Sequence, residues 1–283
     1  VLNNEPKDVE LTYAGQEFEV RDTVNTAFEN EYQSVRISLS KVMESDELFG
    51  IYGKDCYTSI RFGLFAAEDI TAADGSVIPA DGLLSEVSLA ENMTAKFDVQ
   101  IPFGRYYVKE ISTDEHYDLN GEKYRVNFEY MGQDIRTVDI VCGQFVNLLK
   151  RGRIEGHKVA DKSEPLENAV FGLFTTDCVK FSRDTAIMTA ASDENGCFEF
   201  TDVPFGQYIV REIESPRGYI LSDKEYAVSI AEDGEVIEIT AENKPITVEI
   251  SKRDVYGNEL VGAEMVLENA DGEIVDKWTS DGT

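Results

Sequence analysis

The chain has 283 residues, of which 42% are apolar, and its 55 acidic and 26 basic side chains give a formal net charge of -29. That length and apolar content suffice for two domains with packed cores. Acidic residues are spread along the whole chain, and their field repels phosphate and anionic lipid, which argues against a nucleic-acid partner and against membrane insertion. No run of about 18 apolar residues is present, and the first residues lack the basic-then-apolar order of a signal peptide.

Short runs of alternating apolar and polar residues, rich in Val, Ile, Thr and aromatic side chains, follow one another along the chain. This pattern predicts β-strands, and turn signals such as Asn120-Gly121 and Asp233-Gly234 separate them. Residues 84–97 are predicted as strand as well. Six or seven strands in each stretch of about 95 to 115 residues favour a two-sheet sandwich, so the predicted fold class is all-β.

The sequence repeats itself over long distances. Residues 62–65, Phe-Gly-Leu-Phe, return unchanged as residues 171–174, and residues 101–111 return with the same pattern as residues 203–213. Two such segments in the same order indicate two copies of one structural unit.

Lysines and asparagines recur at fixed places in this repeat. Lys41, Lys158 and Lys252 each lie on an alternating strand that opens a unit, whereas Asn147 and Asn243 lie just before the next opening strand and close a unit. We therefore expect the lysine on the first strand of a unit and the asparagine on its last.

Both ends of the chain repeat only part of the unit. Asn30 precedes the next opening lysine by 11 residues, the same offset as that of Asn147, so the first residues resemble the closing strands of a unit. We predict four segments: closing strands of a preceding module at 1–33, complete modules at 34–149 and 150–245, and opening strands of a following module at 246–283.

A glutamate follows the aromatic-rich strand of each complete unit, Glu110 in the first and Glu212 in the second. Lysine, glutamate and asparagine in this order resemble the pattern of CnaB-type, or SpaA-pilin-type, domains, which are immunoglobulin-like sandwiches of prealbumin-like fold locked by a Lys–Asn isopeptide bond. Residues 212–219 also resemble the extended glutamate box of that family, whereas residues 110–117 lack its Pro and Gly. The resemblance implies crosslinks Lys41–Asn147 and Lys158–Asn243, Glu110 and Glu212 as catalytic proton donors, and Asn30 and Lys252 as crosslink residues of the partial modules.

Physical chemistry gives a reason for these residue types. A lysine amine is a nucleophile only when it is neutral, and enclosure among apolar side chains favours the neutral form. Burial also favours a protonated glutamate, which could donate a hydrogen bond to the asparagine carboxamide oxygen and carry protons as ammonia leaves. Taken alone, each of the three is more often a surface lysine, a surface ion pair or a turn residue, and recurrence of the set favours the chemistry. Candidates for the enclosure are four phenylalanines: Phe62, Phe103, Phe171 and Phe205.

Other motifs are sparse. The four cysteines show no CxxC spacing, and they either form the pairs Cys56–Cys142 and Cys178–Cys197 or are buried free thiols. His116 and His157 have no spacing typical of a metal site or of a Ser-His-Asp triad. We therefore predict no cofactor and no metal.

The resemblance implies an extracellular protein on a Gram-positive cell surface, a structural stalk of an adhesin or a pilin-like protein, exported and then anchored to the cell wall by a sortase. Self-crosslinking occurs once, so the chain is not expected to be an enzyme. Two alternatives remain at this point: a module that binds host extracellular matrix or glycan, and accessory domains of a secreted hydrolase.

Overall fold

The computed structural model describes residues 31–72, 74–160 and 163–281, and within these ranges the chain is almost entirely β-strand. The all-β prediction is confirmed. The strands are β1 (Ser34–Met43), β2 (Arg61–Ala66), β3 (Ile70–Thr71), β4 (Val77–Ile78), β5 (Leu83–Ser88), β6 (Thr94–Val99), β7 (Gly104–Ser112), β8 (Tyr124–Phe128), β9 (Thr137–Asn147), β10 (Arg151–Ala160), β11 (Val170–Thr175), β12 (Met188–Ala191), β13 (Cys197–Pro204), β14 (Gly206–Glu214), β15 (Glu225–Ile230), β16 (Val236–Asn243), β17 (Glu264–Glu268) and β18 (Ile274–Thr279), with a 3-10 helix at Gly53–Ser59.

Strands β1 to β9 form the first sandwich. One sheet has the order β6-β1-β9 and the other the order β5-β2-β7-β8, while β3 and β4 pair as a small separate hairpin. The alternation of β1 is regular: Ile37, Leu39 and Lys41 are buried, and the residues between them are less so. Burial of one face in each sheet creates an apolar core between the two.

Strands β10 to β16 form the second sandwich, which has the same strand order. Its sheets are β13-β10-β16 and β12-β11-β14-β15, so each strand corresponds to one in the first sandwich. Phe171 and Phe198 stack in its core with ring centroids 3.8 Å apart. The repeated segments of the sequence are therefore repeated strands.

The first and last strands of each sandwich are parallel neighbours. Met43 lies opposite Asn147 in the β1–β9 pair, and Ala160 lies opposite Asn243 in the β10–β16 pair. Because successive side chains alternate between faces, the lysine two residues earlier on the opening strand points to the same face as the asparagine. A long side chain can span this diagonal separation of about 7–8 Å.

Two predictions differ in detail from the structure. Residues 84–97 are strand in β5 and β6, but a turn at residues 89–93 divides them, with Met93 at a φ of 59°. The two disulfide pairs are wrong because all four cysteines are free and half-exposed. In the second sandwich, the Cys178 thiol donates to the Lys180 carbonyl, and the Cys197 sulfur faces His157 instead.

Arg151 connects the two sandwiches where β10 begins. Its guanidinium forms ion pairs of 2.8 Å with Glu44 and 2.9 Å with Asp46, both from the segment after β1. In the same segment, Phe49 packs edge-on against Tyr208 of the second sandwich, with ring centroids 5.6 Å apart. The junction thus combines a half-buried charge cluster with an aromatic contact.

Candidate functional site

Each sandwich encloses one lysine, one glutamate and one asparagine between its sheets. In the first, Lys41 comes from β1 and Asn147 from β9, and Glu110 reaches them from β7 of the opposite sheet. Their exposed fractions are 3%, 1% and 0%. Three polar side chains this deeply buried must satisfy one another, because water does not reach them.

The three side chains of the first site contact one another directly. The Lys41 ammonium lies 2.8 Å from Glu110 Oε1 and donates to Asn147 Oδ1 at 2.5 Å. Asn147 Nδ2 donates to Glu110 Oε2 and to Thr113 Oγ1, both at 2.8 Å. The carboxamide is therefore held on both sides, with the amine at its oxygen end.

The second site has the same members with looser contacts. Lys158 Nζ lies 3.5 Å from Glu212 Oε1, and Asn243 Nδ2 donates to that same oxygen at 2.8 Å. Within the described part of the chain, Lys158 Nζ and Asn243 Oδ1 have no hydrogen-bond partner. An amine and a carboxamide oxygen buried without partners are costly, and conversion to an amide would replace the amine by a neutral N–H group while the oxygen stays as the amide carbonyl.

Burial controls the electrostatics of both lysines. Desolvation lowers the pKa of Lys41 below the usual value for lysine, and the hydrogen bond and charge of Glu110 oppose this effect only in part. Desolvation likewise lowers the pKa of Lys158 against the attraction of Glu212. A lowered pKa raises the population of the neutral amine, which is the nucleophilic form.

The aromatic enclosure consists of two of the four predicted phenylalanines. The Phe62 and Phe171 rings lie 5.9 Å from Lys41 Nζ and Lys158 Nζ, respectively. The predictions for Phe103 and Phe205 are wrong. Both residues precede the glutamate-bearing strand, where Phe103 packs on Phe128 and Phe205 packs on His116.

The glutamates contact the carboxamide differently from the expectation. We predicted that a glutamate would donate to the carboxamide oxygen, but Glu110 and Glu212 accept hydrogen bonds from the carboxamide nitrogen of their asparagine. The contact that the structure shows is therefore between the glutamate and the nitrogen end of the carboxamide, with the glutamate as acceptor.

Sequence reasoning missed the groups that hold the glutamates. The backbone N–H of Asn120 donates to Glu110 Oε2 at 2.8 Å, and that of Ser222 donates to Glu212 Oε2 at 3.0 Å. Each donor lies ten residues after its glutamate, and this equal spacing is a signal that the sequence does contain. Thr113 was also missed, although Ser215 gives the second unit a hydroxyl at the same offset.

The glutamate box folds similarly in both units despite the missing Pro and Gly. Tyr117 forms an isolated bridge with Leu149, and Tyr219 forms one with Pro245. In each case the tyrosine N–H donates to a carbonyl three residues earlier. The substitutions in the first unit thus leave the segment after Glu110 in place.

The remaining predicted residues lie elsewhere. Lys252 is exposed, unlike the two buried lysines, and Asn30 lies outside the described residues. His116 contacts Asp114 at 2.6 Å, and His157 faces Cys197 at 3.6 Å. Across residues 31–72, 74–160 and 163–281, no group of three or more His, Cys, Asp or Glu side chains could hold a metal ion. Over the same ranges, no helix has the length and apolarity to span a bilayer.

Comparisons with known proteins agree with this architecture. No curated protein matches the sequence. Among solved structures, "The Bacillus anthracis TIE protein" is similar, with 22% identity and a TM-score of 0.57 over 88% of this chain and 42% of that one, so the chain spans less than half of that protein. This match supports the fold alone.

Two pilins are also similar to the chain, with lower TM-scores. A streptococcal ancillary pilin has 18% identity and a TM-score of 0.31, over 77% of this chain and 64% of that one. GBS52, the minor pilin of Streptococcus agalactiae, has 17% identity and a TM-score of 0.33, over 78% and 100%. Residues 152–245 match the family model of the SpaA prealbumin-like fold domain. The second sandwich is therefore similar to a SpaA-type domain of prealbumin-like fold.

Proposed function

We propose that the chain is part of a structural stalk on a Gram-positive cell surface, as in an adhesin or a pilin, and that its two modules, 34–149 and 150–245, are each locked by an autocatalytic Lys–Asn isopeptide bond. One observation carries the proposal. Each sandwich buries a lysine and an asparagine from parallel neighbouring strands, with a glutamate from the facing sheet in contact with both of them.

The isopeptide bond forms by a proton transfer followed by attack of the amine on the carboxamide. A proton moves from the Lys41 ammonium to Glu110, which leaves a neutral amine beside a neutral acid. The amine attacks the Asn147 carboxamide carbon, the C–N bond to Nδ2 breaks, and the amine proton leaves with that nitrogen as ammonia. One amide and one ammonia replace one amine and one carboxamide, and Glu110 keeps the transferred proton. Lys158, Glu212 and Asn243 follow the same course in the second site.

The crosslink has a thermodynamic consequence. Lys41 and Asn147 are 106 residues apart, so the bond closes almost the whole module into one loop. For a disulfide, closure of a loop of this size restrains the unfolded chain by about 4–5 kcal/mol in the chain-entropy model, and an amide should act similarly. Against a typical domain stability of about 5–15 kcal/mol, this is a large increment.

The mechanical consequence is larger. Because each bond joins the opening strand to the closing strand, tension on the two ends passes from one to the other through the crosslink. Residues 42–146 and 159–242 then bear no load, and the modules are inextensible, protease-resistant spacers. Anchoring of the whole protein by a sortase belongs to the same proposal.

Glutamate substitutions test the chemistry. Glu110→Gln and Glu212→Gln each remove the proton carrier while keeping the side-chain shape, so each should raise the intact mass by about 17 Da relative to the parent, apart from the change of residue itself. Glu214→Gln is the matched control, because Glu214 is exposed and pairs with Arg183. Equal masses for the parent and both site variants, after the same correction, would contradict the proposal.

A second candidate function is binding of host matrix or glycan. The observation that favours it is the insertion between β2 and β5, whose β3–β4 hairpin stands near a groove lined by Arg105, Lys123 and Arg125. Arg105 and Lys123 pair with Glu68 and Asp81, which line the same groove, so Arg125 is the basic side chain there that would meet an anionic ligand. A glycan and collagen array, probed with the parent and with Arg125→Glu, tests it, and binding lost in the variant would support this function.

A further inference from the structure

The two sites also differ in the contact that one hydroxyl group makes. Thr113 and Ser215 both lie three residues after the site glutamate. Thr113 Oγ1 is 2.8 Å from Asn147 Nδ2, but the Ser215 hydroxyl donates instead to the Tyr219 carbonyl at 3.1 Å. In the first site alone, therefore, the nitrogen end of the carboxamide lies between a carboxyl group and an alcohol.

Proton transfer changes what this pair of oxygens can do. The carboxamide oxygen and nitrogen have nearly the same size, and a half-turn about the Cβ–Cγ bond exchanges them. Lys41 delivers its proton to Glu110 Oε1, whereas Oε2 faces the carboxamide. A half-turn of the neutral carboxyl group brings the new hydroxyl to the place of Oε2, where it can donate, and the Thr113 hydroxyl can rotate to donate as well. Two donors at this place favour the half-turned carboxamide, with Oδ1 at the position that Nδ2 occupies in the ion-paired state.

Resting on the function proposed above, we infer that Thr113 is a catalytic residue of the first site, the second donor of an oxyanion hole completed by protonated Glu110. When the Lys41 amine attacks, negative charge develops on Asn147 Oδ1, and both hydroxyls stabilise it. The charge collapses as the bond to Nδ2 breaks and ammonia leaves. In the second site, Glu212 acts without an equivalent alcohol, because the Ser215 hydroxyl is committed to Tyr219.

Crosslinking at the second site provides an internal reference rate for the test. The full chain is made by cell-free synthesis, samples are denatured in acid at intervals, and the two crosslinked peptides are quantified by mass spectrometry after digestion. We expect Thr113→Val to slow the first crosslink about 100-fold while leaving the rate of the second unchanged, since loss of one oxyanion donor typically costs 100-fold or more. Thr113→Ser should restore the rate, and Ser215→Ala should leave both crosslinks at the parental rate.

Each outcome decides a separate claim. A Thr113→Val chain that forms both crosslinks at the parental ratio overturns the role of Thr113 and leaves the proposed function standing. A parent without either crosslink overturns both. If Thr113→Val unfolds the first sandwich, as judged by amide hydrogen exchange of β1 and β9, Thr113→Ala and Thr113→Ser are compared instead, and equal rates for these two would contradict the inference.

Discussion

At the scale of single residues, the chain buries charged and polar side chains that most domains leave exposed to solvent. Lys158 is fully buried, yet its amine has no hydrogen-bond partner in the part of the chain described. Its ion pair with Glu212 is long, at 3.5 Å, and the same carboxylate oxygen accepts a hydrogen bond from Asn243. An amine buried in this way destabilises the fold, and it makes the stability of the uncrosslinked protein sensitive to pH.

Glu212→Gln exposes this sensitivity. Without Glu212, the pKa of Lys158 falls further below its unfolded value of about 10.4, because the attraction that opposes desolvation is lost. Between the two values the unfolded chain binds the additional proton, so the free energy of unfolding should rise with pH. Urea denaturation at pH 7, 8 and 9 measures this slope. Adding Lys158→Met to the variant should abolish it, and equal slopes in the two chains would refute the account of Lys158.

Residue identities in the sites were more predictable than their contacts. Lysine, glutamate and asparagine recur in order, and this recurrence predicted the three side chains that the structure brings together in each sandwich. The donors that hold the glutamates, Asn120 and Ser222, could not be identified in this way because they act through the backbone. A backbone contact depends on the path of a loop, which the side-chain pattern does not specify.

At the scale of strands, the two sandwiches place their large and small side chains at opposite members of the equivalent cross-strand pair. Leu39 lies opposite Ala95 in the first, whereas Gly156 lies opposite Phe198 in the second. A Cβ at Gly156 would come within 2.1 Å of the Phe198 ring, which is held from its other side by stacking on Phe171. In the first sandwich the large side chain of this pair, Leu39, comes from the opening strand. In the second sandwich the large side chain, Phe198, comes from the neighbouring strand.

Gly156→Ala should therefore destabilise the second sandwich by about 1–3 kcal/mol, the usual cost of overpacking. The ring cannot move aside without losing its stack on Phe171. Urea denaturation in the Glu212→Gln background measures the change in the free energy of unfolding. Gly121→Ala is the control, because nothing lies within 4 Å of its added Cβ, and equal stability of the two variants would contradict the packing argument.

The alternation of apolar and polar residues predicted the strands well, but it did not predict where the side chains next to a strand would lie. Phe103 and Phe205 belong to the repeated segment, and repetition alone suggested that they enclose the lysine. They lie just before β7 and β14, where the chain enters the sheet, so the alternation of the strand does not direct them to the core. Pattern periodicity applies within a strand and not to the residue before it.

At the scale of the whole molecule, the two sandwiches are joined by contacts as well as by the chain. Arg151 bridges Glu44 and Asp46, and the backbone N–H of Leu149 also donates to Glu44. These contacts fix the segment between Asn147 and Lys158, the part that would carry tension from one crosslink to the next. A stalk transmits orientation only if this segment is stiff.

Arg151→Ala should loosen the junction. The variant leaves two carboxylates next to each other and removes the bridge, so the sandwiches should tumble separately, which NMR relaxation of their backbone amides detects as two correlation times. Arg153→Ala is the control, because Arg153 is exposed and pairs with Glu155 on its own strand. A single shared correlation time in the Arg151 variant would show that the junction contacts do not hold the sandwiches together.

The intact mass of the chain under denaturing conditions tests the central claim most directly. Each isopeptide bond expels one ammonia, so two bonds make the protein about 34 Da lighter than its sequence requires. The account predicts that deficit, with crosslinked peptides joining Lys41 to Asn147 and Lys158 to Asn243. A mass equal to that of the unmodified sequence would contradict it.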